Sequence, residues 1–161
     1  MSTSQHTISA VVQNESGTLN RLVSLFRRRG FSLSSLNVGD CEEQDFSRLT
    51  LVVNGDDDTL QQCVTQLEKL IDVVNVTDLD PRFSVRRELA LIKLGVGKDH
   101  RSEVLDVVKL MGGEVVHFEL NSMTVELSAE PRHIDRLVKM LRPFGIREIA
   151  RTGLVALGVD D

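Results

Sequence analysis

The sequence predicts an α+β protein built from two copies of one unit, each ordered strand, helix, strand, strand, helix, strand. Three observations carry this reading. Four segments place apolar residues at i, i+3, i+4 and i+7, the stripe of a helix with one buried face. Between them lie short runs with period-two alternation or β-branched enrichment. The order of these segments is then written twice along 161 residues.

Taken in order, Thr7 to Val12 reads as a strand, and Leu19, Leu22, Val23 and Phe26 mark the first helix. Gly30 closes it, since glycine is the usual left-handed stop after a helix. Ser32 to Val38 is a weaker strand, and Leu49, Leu51 and Val53 alternate with Arg48, Thr50 and Val52 in a stronger one. Asp56-Asp57-Asp58 precedes the second helix stripe of Leu60, Cys63, Val64 and Leu67, where carboxylates cap free N–H groups and oppose the dipole. Val73 to Asp78 closes the first unit. The second unit repeats the series: Leu89 to Leu94; a helix on Val104, Val107, Val108 and Met111 closed by Gly112-Gly113; Val115 to Glu119; and Met123 to Leu127. A helix on Ile134, Leu137, Val138 and Leu141 follows, entered at Pro131, where a first-turn proline is tolerated, and Ile146 to Ala150 ends the series. The expected division is 1–79, a linker 80–86 around Asp80-Pro81-Arg82, and 87–161. Each half is then a split βαβ, ferredoxin-like unit. Helices cover one sheet face only, so bare faces and edges predict self-association.

Composition narrows the function. The hydrophobic fraction of 41% and charged fraction of 27% are those of a globular protein. A net charge of −5 and the absence of Trp and Tyr argue against nucleic acid and anionic membranes as partners. No apolar run approaches a membrane span, and no secretory signal precedes His6, so the expected location is cytoplasmic. Cys41 and Cys63 form neither a disulfide framework nor a zinc pattern. The four His residues show no ligand spacing, and the acidic loop of Glu42, Glu43 and Asp45 reads as a solvated hairpin. Arg27-Arg28-Arg29 ends a helix, where cations complement the dipole. No nucleophile–base pattern accompanies Ser16, which leaves a small hydrolase as the weakest alternative.

The most informative segment is Asn14-Glu15-Ser16-Gly17-Thr18-Leu19, between the first strand and helix. Such a turn presents unpaired N–H groups at the positive end of a helix dipole, and Gly17 lets a ligand approach closely. These groups suit a small carboxylate. Asn14 and Ser16 also favour turns and caps for purely structural reasons.

This run, with Leu25-Phe26 and Arg29-Gly30-Phe31, resembles the opening of an ACT domain. Together with Ser35-Leu36-Asn37-Val38-Gly39, Ser47-Arg48-Leu49-Thr50, Gln66-Leu67-Glu68-Lys69-Leu70, Arg87 to Lys93 and Glu148-Ile149-Ala150-Arg151-Thr152-Gly153, the chain resembles the small regulatory subunit of acetolactate synthase (acetohydroxyacid synthase, AHAS) over nearly its whole length. The resemblance implies an N-terminal ACT domain, a C-terminal ACT-like domain and no catalytic residues or cofactor in this chain. Thiamine diphosphate, Mg2+ and FAD would sit on the large catalytic subunit that it activates. It also implies feedback inhibition by valine in the synthesis of the branched-chain amino acids, including isoleucine and leucine. Valine would bind between the N-terminal ACT domains of a homodimer, at residues that fall on Asn14, Ser16, Gly17, Thr18, Leu19, Ser32 and Leu33. Many members carry Asn where this chain has Ser32; a serine offers one short hydroxyl in place of an amide with separate donor and acceptor ends. The alternative is a stand-alone ACT-type amino-acid sensor acting on a transcription or signalling partner. The second unit's Gly95 to Ser102 turn lacks the Asn-Glu-Ser-Gly run, so the effector site is expected in the first unit alone.

Overall fold

The computed structural model describes residues 4–159. The element order is β1 (Ser4–Gln13), α1 (Thr18–Arg29), β2 (Ser32–Asp40), β3 (Phe46–Gly55), α2 (Asp57–Glu68) and β4 (Val73–Leu79). Then come β5 (Ser84–Leu94), α3 (Arg101–Leu110), β6 (Glu114–Glu119), β7 (Ser122–Ala129), α4 (Pro131–Leu141), β8 (Ile146–Arg151) and a short β9 (Val155–Gly158). Each half is a βαββαβ unit, and the two antiparallel sheets run β2-β3-β1-β4 and β6-β7-β5-β8.

Local chemistry accounts for the element ends. Asp56 caps α2, its Oδ1 accepting from the Thr59 N–H at 2.9 Å and from Thr59 Oγ1 at 2.7 Å. Gly30 terminates α1 with φ 68°, and the Phe31 N–H donates to Phe26 O at 3.1 Å. In the segment expected as a linker, Pro81–Phe83 forms a 3-10 turn and Asp80 accepts from the Arg82 N–H at 2.8 Å. The Arg82 side chain holds the Asp80 carboxyl down at about 2.

In the first unit Ile8, Ala10 and Val12 of β1 and Leu49, Leu51 and Val53 of β3 pack against Leu22, Leu25, Phe26, Cys63 and Leu67. The α1 stripe is rotated from the predicted one: Leu25 is buried, whereas Leu19 and Val23 each remain 45% exposed. Burial pushes the Cys63 thiol up to about 11, so it stays protonated and acts as a small apolar group. The second core sets Ala90, Ile92, Leu94, Met123, Val125 and Leu127 against Val104, Val108, Ile134, Leu137 and Leu141.

The tail does not follow its predecessor in sequence. Residues from Leu154 onward cluster with the first unit, and 87–153 form the second. The Leu154 N–H donates to Ser35 Oγ at 3.1 Å and the Val159 N–H to Phe83 O at 2.9 Å. The turn that releases this tail is built by the Ala-Arg-Thr-Gly run. Thr152 exchanges hydrogen bonds with Leu89, and Gly153 takes φ 80°. Arg151 donates to buried Glu88 through Nε at 2.6 Å and Nη2 at 3.0 Å, and to Asp135 through Nη1 at 2.7 Å. Sequence alone hides this cluster because its three members are far apart in the chain.

Candidate functional site

The 14–19 segment forms the turn between β1 and α1, and its backbone is pinned on both sides. The Gln13 N–H donates to Asp72 O and the Asn14 N–H to Asp45 O, both at 2.8 Å. Asp45 itself sits at φ 66° in the β2–β3 hairpin, so the acidic loop buttresses the turn. Gly17 occupies the N-cap with φ 92°, a conformation that costs an L-residue roughly 1–2 kcal/mol. No side chain caps the helix. The amides of Ser16, Gly17, Leu19 and Asn20 have no partner among the described residues, as expected where a helix begins uncapped.

Two residues absent from the sequence expectation shape this turn. Arg21, one helical turn beyond Gly17, donates to buried Asp72 through Nε at 2.5 Å and Nη2 at 2.9 Å. A Cβ on Gly17 would stand 3.1 Å from Arg21 Nη1, so the guanidinium borders the place where an anion would approach the free amides. Its hydrogen bonds to Asp72 are the main reason that the Arg21 pKa is raised. The four-residue spacing of Gly17 and Arg21 is visible in the sequence, but the pairing with Asp72 crosses 51 residues and is not. Thr18 Oγ1 is buried and has no hydrogen-bond partner among the described residues, an arrangement that costs roughly 1–3 kcal/mol unless a polar group meets it.

Asn14, Ser16, Gly17, Thr18 and Leu19 therefore lie together, with Asn14, Ser16 and Leu19 exposed. Ser32 and Leu33 do not join them within one chain. Gln13 pairs with Phe46 and Asp40 with Ser47, which places the turn at one end of the sheet. Ser32 pairs with Asn54, and Asn54 with Gln5, at the opposite end. Strand rise puts about 26 Å between them. There Asn54 Nδ2 donates to Ser32 Oγ at 3.3 Å and to Ser34 Oγ at 2.5 Å, leaving the Ser32 O–H available as a donor. Asn54 too was invisible in the sequence, since only strand register brings it beside Ser32. The described residues hold no group of three or more His, Cys, Asp or Glu arranged to bind a metal, and no helix among them is long and apolar enough to cross a membrane.

A βαββαβ unit with an uncapped, glycine-broken turn into its first helix and a free β2 edge defines an ACT-type domain, present here with an ACT-like second copy. Comparison with known families resolves the class further. The family model described as the AHAS small subunit-like ACT domain matches residues 8–75, and that for the small subunit of acetolactate synthase matches residues 87–160. The chain belongs to the acetolactate synthase small-subunit family. It is 43% identical over 157 residues to the acetolactate synthase small subunit of Mycobacterium bovis, covering 98% of this chain and 94% of that protein. It is 41% identical over 155 residues to the Mycolicibacterium smegmatis protein of the same name, covering 96% and 91%. The crystal structure of the acetolactate synthase small subunit from Thermotoga maritima superposes with a TM-score of 0.93 at 34% identity, covering 98% of this chain and 99% of that one.

Proposed function

We propose that this chain is the regulatory subunit that activates the thiamine-diphosphate-dependent catalytic subunit of acetolactate synthase and makes it sensitive to valine. It would act in the cytoplasm, in branched-chain amino acid biosynthesis, with Mg2+, FAD and thiamine diphosphate held by the catalytic subunit. The observation that carries this reading is the placement of the two half-sites at opposite ends of one sheet. A second copy meeting the free β2 edge in antiparallel fashion brings its own Ser32 level with Asp40 of the first, the end where the 14–19 turn opens. Two-fold symmetry then yields two equivalent composite sites per dimer. The half-exposed Leu19, Val23 and Val38 provide apolar surface for that contact.

In such a site the carboxylate of valine meets the amides of Ser16, Gly17 and Leu19, beside the Arg21 cation. The Ser32 hydroxyl of the second copy donates from the facing side. The isopropyl group packs near Leu19 and Leu33, a burial worth roughly 1.5–3 kcal/mol. Because the ligand touches both copies, its binding energy is spent on the dimer arrangement. A coupling of about 1–3 kcal/mol between sites changes activity several-fold or more. Reconstitution with the organism's catalytic subunit tests the whole reading: activity should rise on adding this chain and fall again with valine. Leucine and isoleucine should be only partly excluded, since one methylene discriminates weakly. A catalytic subunit indifferent to this chain would refute it.

A further inference from the structure

A second surface of the first unit has the character of a docking site, and none of its lining residues belongs to the 14–19 turn. Between α1 and α2 runs a furrow of about 450 Å³ whose floor is Leu25 and Leu70 and whose walls are Arg28, Arg29, Gln66 and Lys69. Three cations and no acid line it, in a chain whose net charge is −5. Arg29 reaches across the furrow to Gln66 Oε1 at 3.1 Å, whereas Arg28 and Lys69 form no ion pair among the described residues. Ile71, next in the chain to Leu70, is 88% exposed, the most solvent-exposed large apolar side chain in the described protein. Helix-dipole complementation explains one or two arginines in the last turn of α1. It does not explain why the unpaired cations of two helices converge over an apolar floor next to an exposed isoleucine.

We propose that this furrow docks an acidic segment of the catalytic subunit, with carboxylates on Arg28 and Lys69 and an aliphatic side chain over Leu25 and Leu70, a proposal that rests on the partnership put forward under Proposed function. Charge complementarity selects that occupant: a second copy of this chain is itself acidic overall but already has the β2 edge, and nucleic acid would find no aromatic platform here.

The test uses the full chain carrying Arg28→Glu and Lys69→Glu together, titrated with the catalytic subunit at low and moderate salt. Wild-type affinity should weaken as salt rises, and the double reversal should weaken it by at least about tenfold at low salt. Valine affinity and the circular dichroism spectrum should be unchanged. If the reversal does not fold, Arg28→Gln with Lys69→Gln carries the same expectation at smaller amplitude. Unchanged affinity for the catalytic subunit overturns the proposal. So does unchanged affinity accompanied by lost self-association in light scattering, or by lost retention of a DNA duplex. Failure of the wild-type chain to bind the catalytic subunit at all refutes the partnership itself, a result distinct from a salt-independent or reversal-insensitive complex.

Discussion

The two units share a topology yet differ at the first glycine of the turn after their first strand. In the first, Gly17 opens the turn, the Leu19 and Asn20 amides are without a partner among the described residues, and the nearby arginine is drawn to Asp72. In the second, Gly95 is covered: a Cβ there would stand 2.6 Å from Arg147 Nε, so the guanidinium lies against the backbone. The Gly95 N–H already donates to Gly145 O at 2.9 Å. A duplicated fold thus carries two helix entrances without a side-chain cap, one behind an open glycine and one behind a glycine that the Arg147 guanidinium covers. The sheet faces turned away from the helices differ in the opposite sense. Thr7, Ser9, Thr50 and Val52 of the first sheet are buried, whereas Leu91, Lys93, His117, Thr124 and Glu148 of the second line an open depression of about 610 Å³.

The sharpest way to break this comparison is to fill each glycine. Gly17→Asp puts a carboxylate beside Arg21 at a left-handed φ, where it takes the place of the effector's own. Valine inhibition of the reconstituted enzyme should be abolished, while Gly95→Asp, which meets only the movable end of the Arg147 side chain, should leave the valine response in place. Persistent valine sensitivity in the Gly17 variant would show that the open turn is not the site. Next in size is Leu137→Ala. This side chain is wholly buried in the second core, and its truncation should cost about 3 kcal/mol in denaturant unfolding without altering valine affinity in the folded protein. Loss of valine binding at temperatures where the variant is folded would mean that the second unit contributes to the site. Ser32→Asn is the smallest change. It restores an amide at the facing position, and calorimetry should show valine binding tightened by up to about tenfold, the worth of one net hydrogen bond. Weaker binding would indicate that Asn54, donating to both Ser32 and Ser34, is better placed to serve the ligand than a residue 32 amide.

Periodicity made most of the fold legible. The stripes of α2, α3 and α4, the glycine stops and the Asp56 cap are local signals, and these recur in the structure. The α1 stripe differs from the expected one because Leu19, Leu22, Val23, Leu25 and Phe26 offer two overlapping apolar faces, and only packing on the sheet selects Leu22, Leu25 and Phe26. The tail's return to the first unit had no local signal, since its ties to Ser35 and Phe83 depend on tertiary placement. At the candidate site the turn could be read directly as a run of residue types. Arg21, Asp72 and Asn54 could not, because long-range pairing and strand register place them there.

In the proposed dimer each valine site takes its turn from one copy and Ser32 from another. Complementation between two defective variants tests it. Chains carrying Gly17→Asp and chains carrying Ser32→Trp should each bind no valine, because every site in either homodimer is damaged. After mixing and exchange, random pairing puts both lesions of a heterodimer in one site and leaves the other intact. Calorimetry of the mixture should then recover about a quarter of the wild-type binding sites at wild-type affinity. A mixture that binds no valine, or a Ser32→Trp homodimer that binds it normally, would contradict a site shared between copies.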